Sequence, residues 1–113
     1  MNTPDHHRFT QLLNLYSSHL DDLICEVRHP GFDALSPEFL DEVAVTIDEL
    51  MLALDEHRGA HGLDDLAGSL LSDARLLRDG VRARALEAGQ IAAAISDVTL
   101  KIGYVIRDDK RAA

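Results

Sequence analysis

Histidines and paired acids are the residues here with chemistry to offer. The 113-residue chain carries six histidines and 20 acids. His57 and His61 stand four apart, a spacing that sets two metal ligands on one helical face. The segment Glu56-His57-Arg58-Gly59-Ala60-His61 nevertheless puts its acid before the first histidine, not after it as zinc peptidases require. Gly59 also marks a place where the helix is expected to end. His6-His7 reads as a solvated turn, and no metal or cofactor is expected. General acid–base catalysis needs two carboxyl groups in unlike environments, one with a raised pKa. The acids come instead as adjacent pairs, Asp41-Glu42, Asp48-Glu49 and Asp55-Glu56, each facing the same water. No glycine-rich phosphate loop or serine elbow is present. The residues therefore predict a protein that is not an enzyme.

The same acid pairs disclose the elements that carry them. Leu40-Asp41-Glu42-Val43, Ile47-Asp48-Glu49-Leu50 and Leu54-Asp55-Glu56-His57 recur every seven residues, with looser copies at Leu20-Asp21-Asp22-Leu23 and Leu63-Asp64-Asp65-Leu66. An apolar residue, two acids and another apolar residue place the outer pair on a buried stripe and the acids in water. The expected fold is all-α. It is a small bundle of three to four helices with coiled-coil-like packing, a single helical domain over residues 1–113 completed by dimerisation.

Helix boundaries follow from local signals. Thr3 and Pro4 cap and open a first helix with a stripe of Phe9, Leu13, Tyr16, Leu20, Leu23 and Val27, which His29-Pro30-Gly31 ends. Ser36-Pro37-Glu38 starts a second, with Leu40, Val43, Ile47, Leu50, Leu54 and His57 on its stripe and a glycine stop over 58–62. From Leu63 the positions 67, 70, 74, 77, 81, 84, 88, 91, 95, 98, 102 and 105 alternate four and three, all apolar except Arg84. That rhythm favours one continuous helix of ~65 Å. The alternative is two helices broken near residue 80, where Asp79-Gly80 is a turn signal. An apolar stripe of that length exceeds what two shorter helices can cover. The sequence therefore predicts a homodimer with Ile91, Ile95 and Val98 at its interface.

Composition bounds the partners. Apolar residues make up 46% of the chain and aromatics 4%, so the core must be aliphatic. Residues 21–65 hold 13 acids against Arg28 and Arg58, whereas residues 66–113 hold six acids and eight bases. Direct nucleic-acid binding is disfavoured, and a protein partner with basic surface is expected. Arg75, Arg78 and Arg82 stand where they can meet Asp48, Glu49, Asp55 or Glu56 of the second helix. A lone Cys25 forms no intrachain disulfide and suits a reducing cytoplasm. The polar start of the chain carries no signal peptide, and Ile91–Ile106 is too short and too charged to cross a bilayer.

A proline-marked start at Leu35-Ser36-Pro37-Glu38 leads into a long acidic helix, and a later helix closes with Val98-Thr99-Leu100-Lys101-Ile102-Gly103-Tyr104-Val105-Ile106. Over residues 35–106 this layout resembles the small helical quorum-sensing antiactivators of the TraM and QslA type. The resemblance implies a dimeric, cofactor-free protein that binds a LuxR-type transcriptional regulator and stops it from dimerising or engaging DNA. It carries over no contact residue. The first helix lies outside the resemblance, and its own pattern makes Phe9, Leu13, Tyr16 and Leu20 the candidate partner-binding anchor. Two other classes compete: an acidic inhibitor that mimics nucleic acid, and a secretion or assembly chaperone. The acid pairs recur every ~10.5 Å along a helix, wider than the interval between successive phosphates on one strand, which disfavours mimicry.

Overall fold

The computed structural model describes the backbone of residues 4–61 and 65–112, and side chains over 8–57 and 65–108. Four helices follow one another: α1 (Pro4–Arg28), α2 (Pro37–His61), α3 (Asp65–Arg82) and α4 (Ala88–Ala112). No strand occurs among the described residues. α1 packs on α2 and α4, and α3 packs on the same two, while the diagonal pairs do not meet among the described residues. Short connections and this adjacency make an up-down-up-down bundle, 48 Å long and 23 × 19 Å across.

Among the described residues the apolar stripes read from the sequence lie on the buried faces of their helices, except that Tyr16, Val27 and His57 are half-buried and Arg84 and Ala88 exposed. Phe9, Leu13, Leu20 and Leu23 of α1 meet Val43, Ile47, Leu50 and Leu54 of α2, the evenly spaced Ala67, Leu70, Ala74, Leu77 and Val81 of α3, and Ile91, Ile95, Val98 and Ile102 of α4 in one aliphatic core. Thr46, the one buried polar residue among those described, donates its hydroxyl to the Glu42 carbonyl at 2.8 Å and so keeps its hydrogen bond.

The ends of the helices are set by capping chemistry. The Phe32 amide donates to the His29 carbonyl at 3.1 Å, and Gly31 has φ +82°. Pro30-Gly31 thus forms a type II turn that only glycine fits comfortably. Asp33 Oδ1 then accepts from the Leu35 amide at 3.0 Å. Ser36 is the cap of α2, as expected. Its Oγ accepts from the Phe39 amide at 3.3 Å and its carbonyl from Leu40 at 3.0 Å, with Pro37 in the first turn. The expected cap at Thr3 and stop at Gly62 lie outside the described residues. Helix α2 itself runs through Gly59 to His61, past the point where the sequence predicted its end.

The favoured reading of one helix beyond residue 63 is corrected: α3 ends at Arg82 and α4 begins at Ala88. The Ala85 amide donates to the Gly80 carbonyl at 2.9 Å and the Arg84 amide to the Val81 carbonyl at 3.1 Å. This bond pair is a Schellman motif, and Arg84 occupies its left-handed position with φ 53° where glycine is usual. Leu86 folds back over Gly80, where an added Cβ would sit 2.8 Å from its Cδ1. Glu87 caps α4: its carbonyl accepts from Ile91 at 2.9 Å, and Gln90 Oε1 reaches back to its amide at 2.9 Å.

That turn also relocates the expected dimer residues. Ile91, Ile95 and Val98 are each 0% exposed within a single chain. The sequence argument assumed a stripe too long for its own chain to cover. Folding α4 back against α3 and α1 covers it from within, so these three residues offer no surface to a second copy. Two measurements check this account. Arg84→Gly relieves the left-handed strain and is expected to stabilise the fold by ~1 kcal/mol in a denaturant titration. Ile95→Ala is expected to destabilise by ~2–4 kcal/mol with no change in sedimentation behaviour; a change of assembly state at intact stability would return Ile95 to an interface.

Candidate functional site

Two of the bundle's seams are bridged by ion pairs. Between α2 and α3, Asp48 accepts from Arg78 at 3.3 Å and from Arg82, while Arg78 also holds Asp79 at 3.0 Å. Arg78 and Arg82, two of the three arginines foreseen from the sequence, thus meet one of the four candidate acids, and Arg75 is exposed. Between α3 and α4, Lys101 Nζ lies 2.6 Å from Asp73 and 2.8 Å from Ser69 Oγ. These pairs are partly exposed and contribute little individually, ~0–1 kcal/mol each.

The α1–α2 seam is different. Phe9 and His57 close one end, with rings 3.8 Å apart and 4° from parallel. Towards the other end a groove of about 520 Å³ opens, lined by Leu15, Tyr16 and His19 of α1 and by Glu38, Asp41, Glu42, Val45, Thr46 and Glu49 of α2. His19 Nε2 stands 3.4 Å from Glu42 Oε1, an ion pair when the imidazole is protonated. The floor is apolar and the rim acidic. Leu15 is 62% exposed and Val45 44%, although each has polar positions nearby that would be cheaper to leave in water.

The helical register explains the rim. Glu38, Glu42, Val45, Glu49, Leu52 and Glu56 are spaced four, three, four, three, four, and all are exposed. Helix α2 thus carries a second heptad stripe outside the buried one, in which acids alternate with apolar side chains. On α1, Tyr16 sits at the edge of the core stripe, half-buried against the core and half in the groove.

Of the four anchor residues expected on α1, the structure brings only Tyr16 to this site. Phe9, Leu13 and Leu20 are core, at 5%, 0% and 0% exposed, because α2 and α4 both close over that face. Sequence reasoning missed Leu15, His19 and Val45. The available signal was an apolar residue out of register, since Leu15 and Val45 fall beside their helices' buried stripes and not on them. Cys25 is free and exposed. Among the described residues no three histidine, cysteine or acid side chains converge as a metal site would need. None of their helices is long and apolar enough to cross a membrane.

The electrostatics of the groove show at Tyr16. Its phenol is raised above the ordinary value of 10.0, first by burial and then by Glu49 and Glu56, whose charges oppose a phenolate. Because the folded state holds this proton more tightly, its contribution to stability is complete below the ordinary phenol range. It is lost as pH rises from the ordinary value through the higher folded-state one, an interval in which the unfolded chain ionises first. In an ultraviolet phenolate titration, the difference between the parent protein and Tyr16→Phe is expected to have its midpoint above 10.0, moving down in Glu49→Gln; a midpoint at or below the ordinary value would contradict this.

No protein family, curated protein or solved structure was found to match this chain.

Proposed function

We propose that this protein is a non-catalytic inhibitory interaction protein that sequesters a regulator by helix contact. The observation that carries the reading is the α1–α2 groove, an open apolar floor under an acidic rim on the outside of the bundle. Such a surface suits binding and holding. Catalysis would need groups in contrasting environments, and the rim acids share one solvated setting.

The specific partner proposed is a LuxR-type transcriptional regulator, on the strength of the antiactivator-like layout over residues 35–106. Inhibition would act on the regulator's dimerisation or its engagement of DNA. The work would be done in the cytoplasm, where Cys25 stays reduced. A homodimer, which the same resemblance implies, would have to use outward side chains such as Leu76, Leu100 or Tyr104, which are 69%, 53% and 41% exposed.

Nucleic-acid mimicry is the weaker reading. Its regular acid row is interrupted in charge, since Asp48 is already held by Arg78 and Arg82. The test uses purified LuxR-type regulators and their operator DNA. Increasing amounts of this protein are expected to abolish operator binding at micromolar concentration, with saturation and no turnover. Leu15→Ala is expected to weaken that effect several-fold while changing stability by no more than ~0.5 kcal/mol, as its side chain is mostly in water. If no regulator of this class binds the parent protein, the antiactivator reading fails and mimicry takes its place.

A further inference from the structure

We infer that the α1–α2 groove is a seat for one amphipathic helix of a partner protein whose contacting face interleaves leucine-like residues with lysine or arginine. This rests on the interaction-protein reading above and names the chemistry of the partner, which that reading leaves open.

The shape of the seat comes from α2. Its outer stripe from Glu38 to Glu56 follows the four-three rhythm by which one helix receives another, and it extends ~27 Å, about five turns. Leu15 and Tyr16 of α1 supply the second wall, so an incoming helix would rest on two helices at once and complete a three-helix packing.

The charge comes from the same stripe. Glu42, Glu49 and Glu56 recur every seven residues, ~10.5 Å apart, and a helical partner matches that interval with a cation every seventh residue. Val45 and Leu52 lie between these acids, so the partner's apolar side chains fall between its cations. Among the described residues that line the groove there is no lysine or arginine, and His19 meets the rim acid Glu42. The contrast with Asp48 is instructive: it lies one position from Glu49 but faces α3 and is matched by two arginines.

Other occupants fit less well. A second copy related by a two-fold axis would set this glutamate row against itself, a like-charge contact. An anionic lipid surface or a nucleic acid would meet the same repulsion. An acidic or neutral amphipathic helix would fill the apolar floor but leave the rim unmatched.

The experiment uses the whole protein and two synthetic helical peptides of about three heptads, alike in their leucine positions. One carries lysine at every seventh position beside the leucines, the other glutamate. The lysine peptide is expected to bind at micromolar concentration in calorimetry, at least about tenfold tighter than the glutamate peptide, and to weaken as salt is raised. Exchanging the rim charge in the double variant Glu42→Lys, Glu49→Lys is expected to reverse the preference. A reversal is a gained interaction that a misfolded variant cannot produce, and a thermal melt checks the fold independently. Equal binding of both peptides, or an exchange that leaves the preference in place, overturns the inference. The regulator experiment fails separately. A LuxR-type regulator that binds the parent and the charge-exchanged protein equally would refute the groove chemistry and leave the antiactivator reading standing. Reversal with the peptides but no regulator binding would do the opposite.

Discussion

Everything in this bundle depends on the chain turning back between Arg82 and Ala88. Four aliphatic stripes of similar length can cover one another only if α4 runs antiparallel to α3, and five residues accomplish that. The turn is closed by two backbone bonds to Gly80 and Val81, with Leu86 folded onto Gly80 from above. Placing arginine in the left-handed position costs about 1–2 kcal/mol relative to an unstrained residue. The return it secures is the burial of Ile91, Ile95, Val98 and Ile102, each worth ~2–3 kcal/mol of transfer free energy on the usual area scale. The local strain is small against that sum, so the fold tolerates a poor residue at its tightest point.

Once α4 has returned, the charges divide into two kinds of work. Asp48, Asp73, Arg78, Arg82 and Lys101 stitch α3 to its neighbours at partly exposed positions. Such pairs add little net stability, but they fix how the helices lie along one another. Among the described residues, the groove glutamates at 38, 42 and 49 have no arginine or lysine across from them, because α1 presents Leu15, Tyr16 and His19 there. Their mutual repulsion costs the folded state a little, and their field repels anions and attracts cations at this face.

How much of this was legible in the sequence differs by feature, for physical reasons. The stripes, the Ser36-Pro37 cap and the Pro30-Gly31 turn were legible because each depends on residues close in sequence. The break after Arg82 was only half legible, through Asp79-Gly80 and the off-pattern Arg84, because the four-three rhythm passes through it intact: 81, 84, 88 and 91 keep register while only Arg84 and Ala88 leave the core. Periodicity records which side of a helix is apolar and is blind to whether the helix continues. The capping pair Glu87 and Gln90 was the available signal for a new start. The groove was illegible for another reason. It lies between two helices, and its walls are side chains that each helix, taken alone, assigns to solvent. Leu13 and Tyr16 belong to one stripe, yet one is in the core and the other at its edge, a distinction made by the neighbours' positions and by nothing within α1.

The location of the open seam follows from the same packing. α3 carries arginines on its flank towards α2 and Asp73 on its flank towards α4, so its two seams are bridged by Asp48 of α2 and Lys101 of α4. α1 and α2 are both acidic over the stretch where they meet, with Asp21, Asp22 and Glu26 on one and Glu38, Asp41 and Glu42 on the other. Two acidic helices offer each other few opposite charges to pair. Their contact is carried by the buried stripe, by the Phe9–His57 stack at one end and by the His19–Glu42 contact further along. Between those fixed points the outer edge of the seam stays unsealed, and Tyr16, Leu15 and Val45 come to the surface beneath a rim of negative charge. An apolar floor and an acidic rim therefore arise together from one cause, the uneven division of charge along the chain. A surface made that way is complementary to a basic, amphipathic segment before any particular partner is considered.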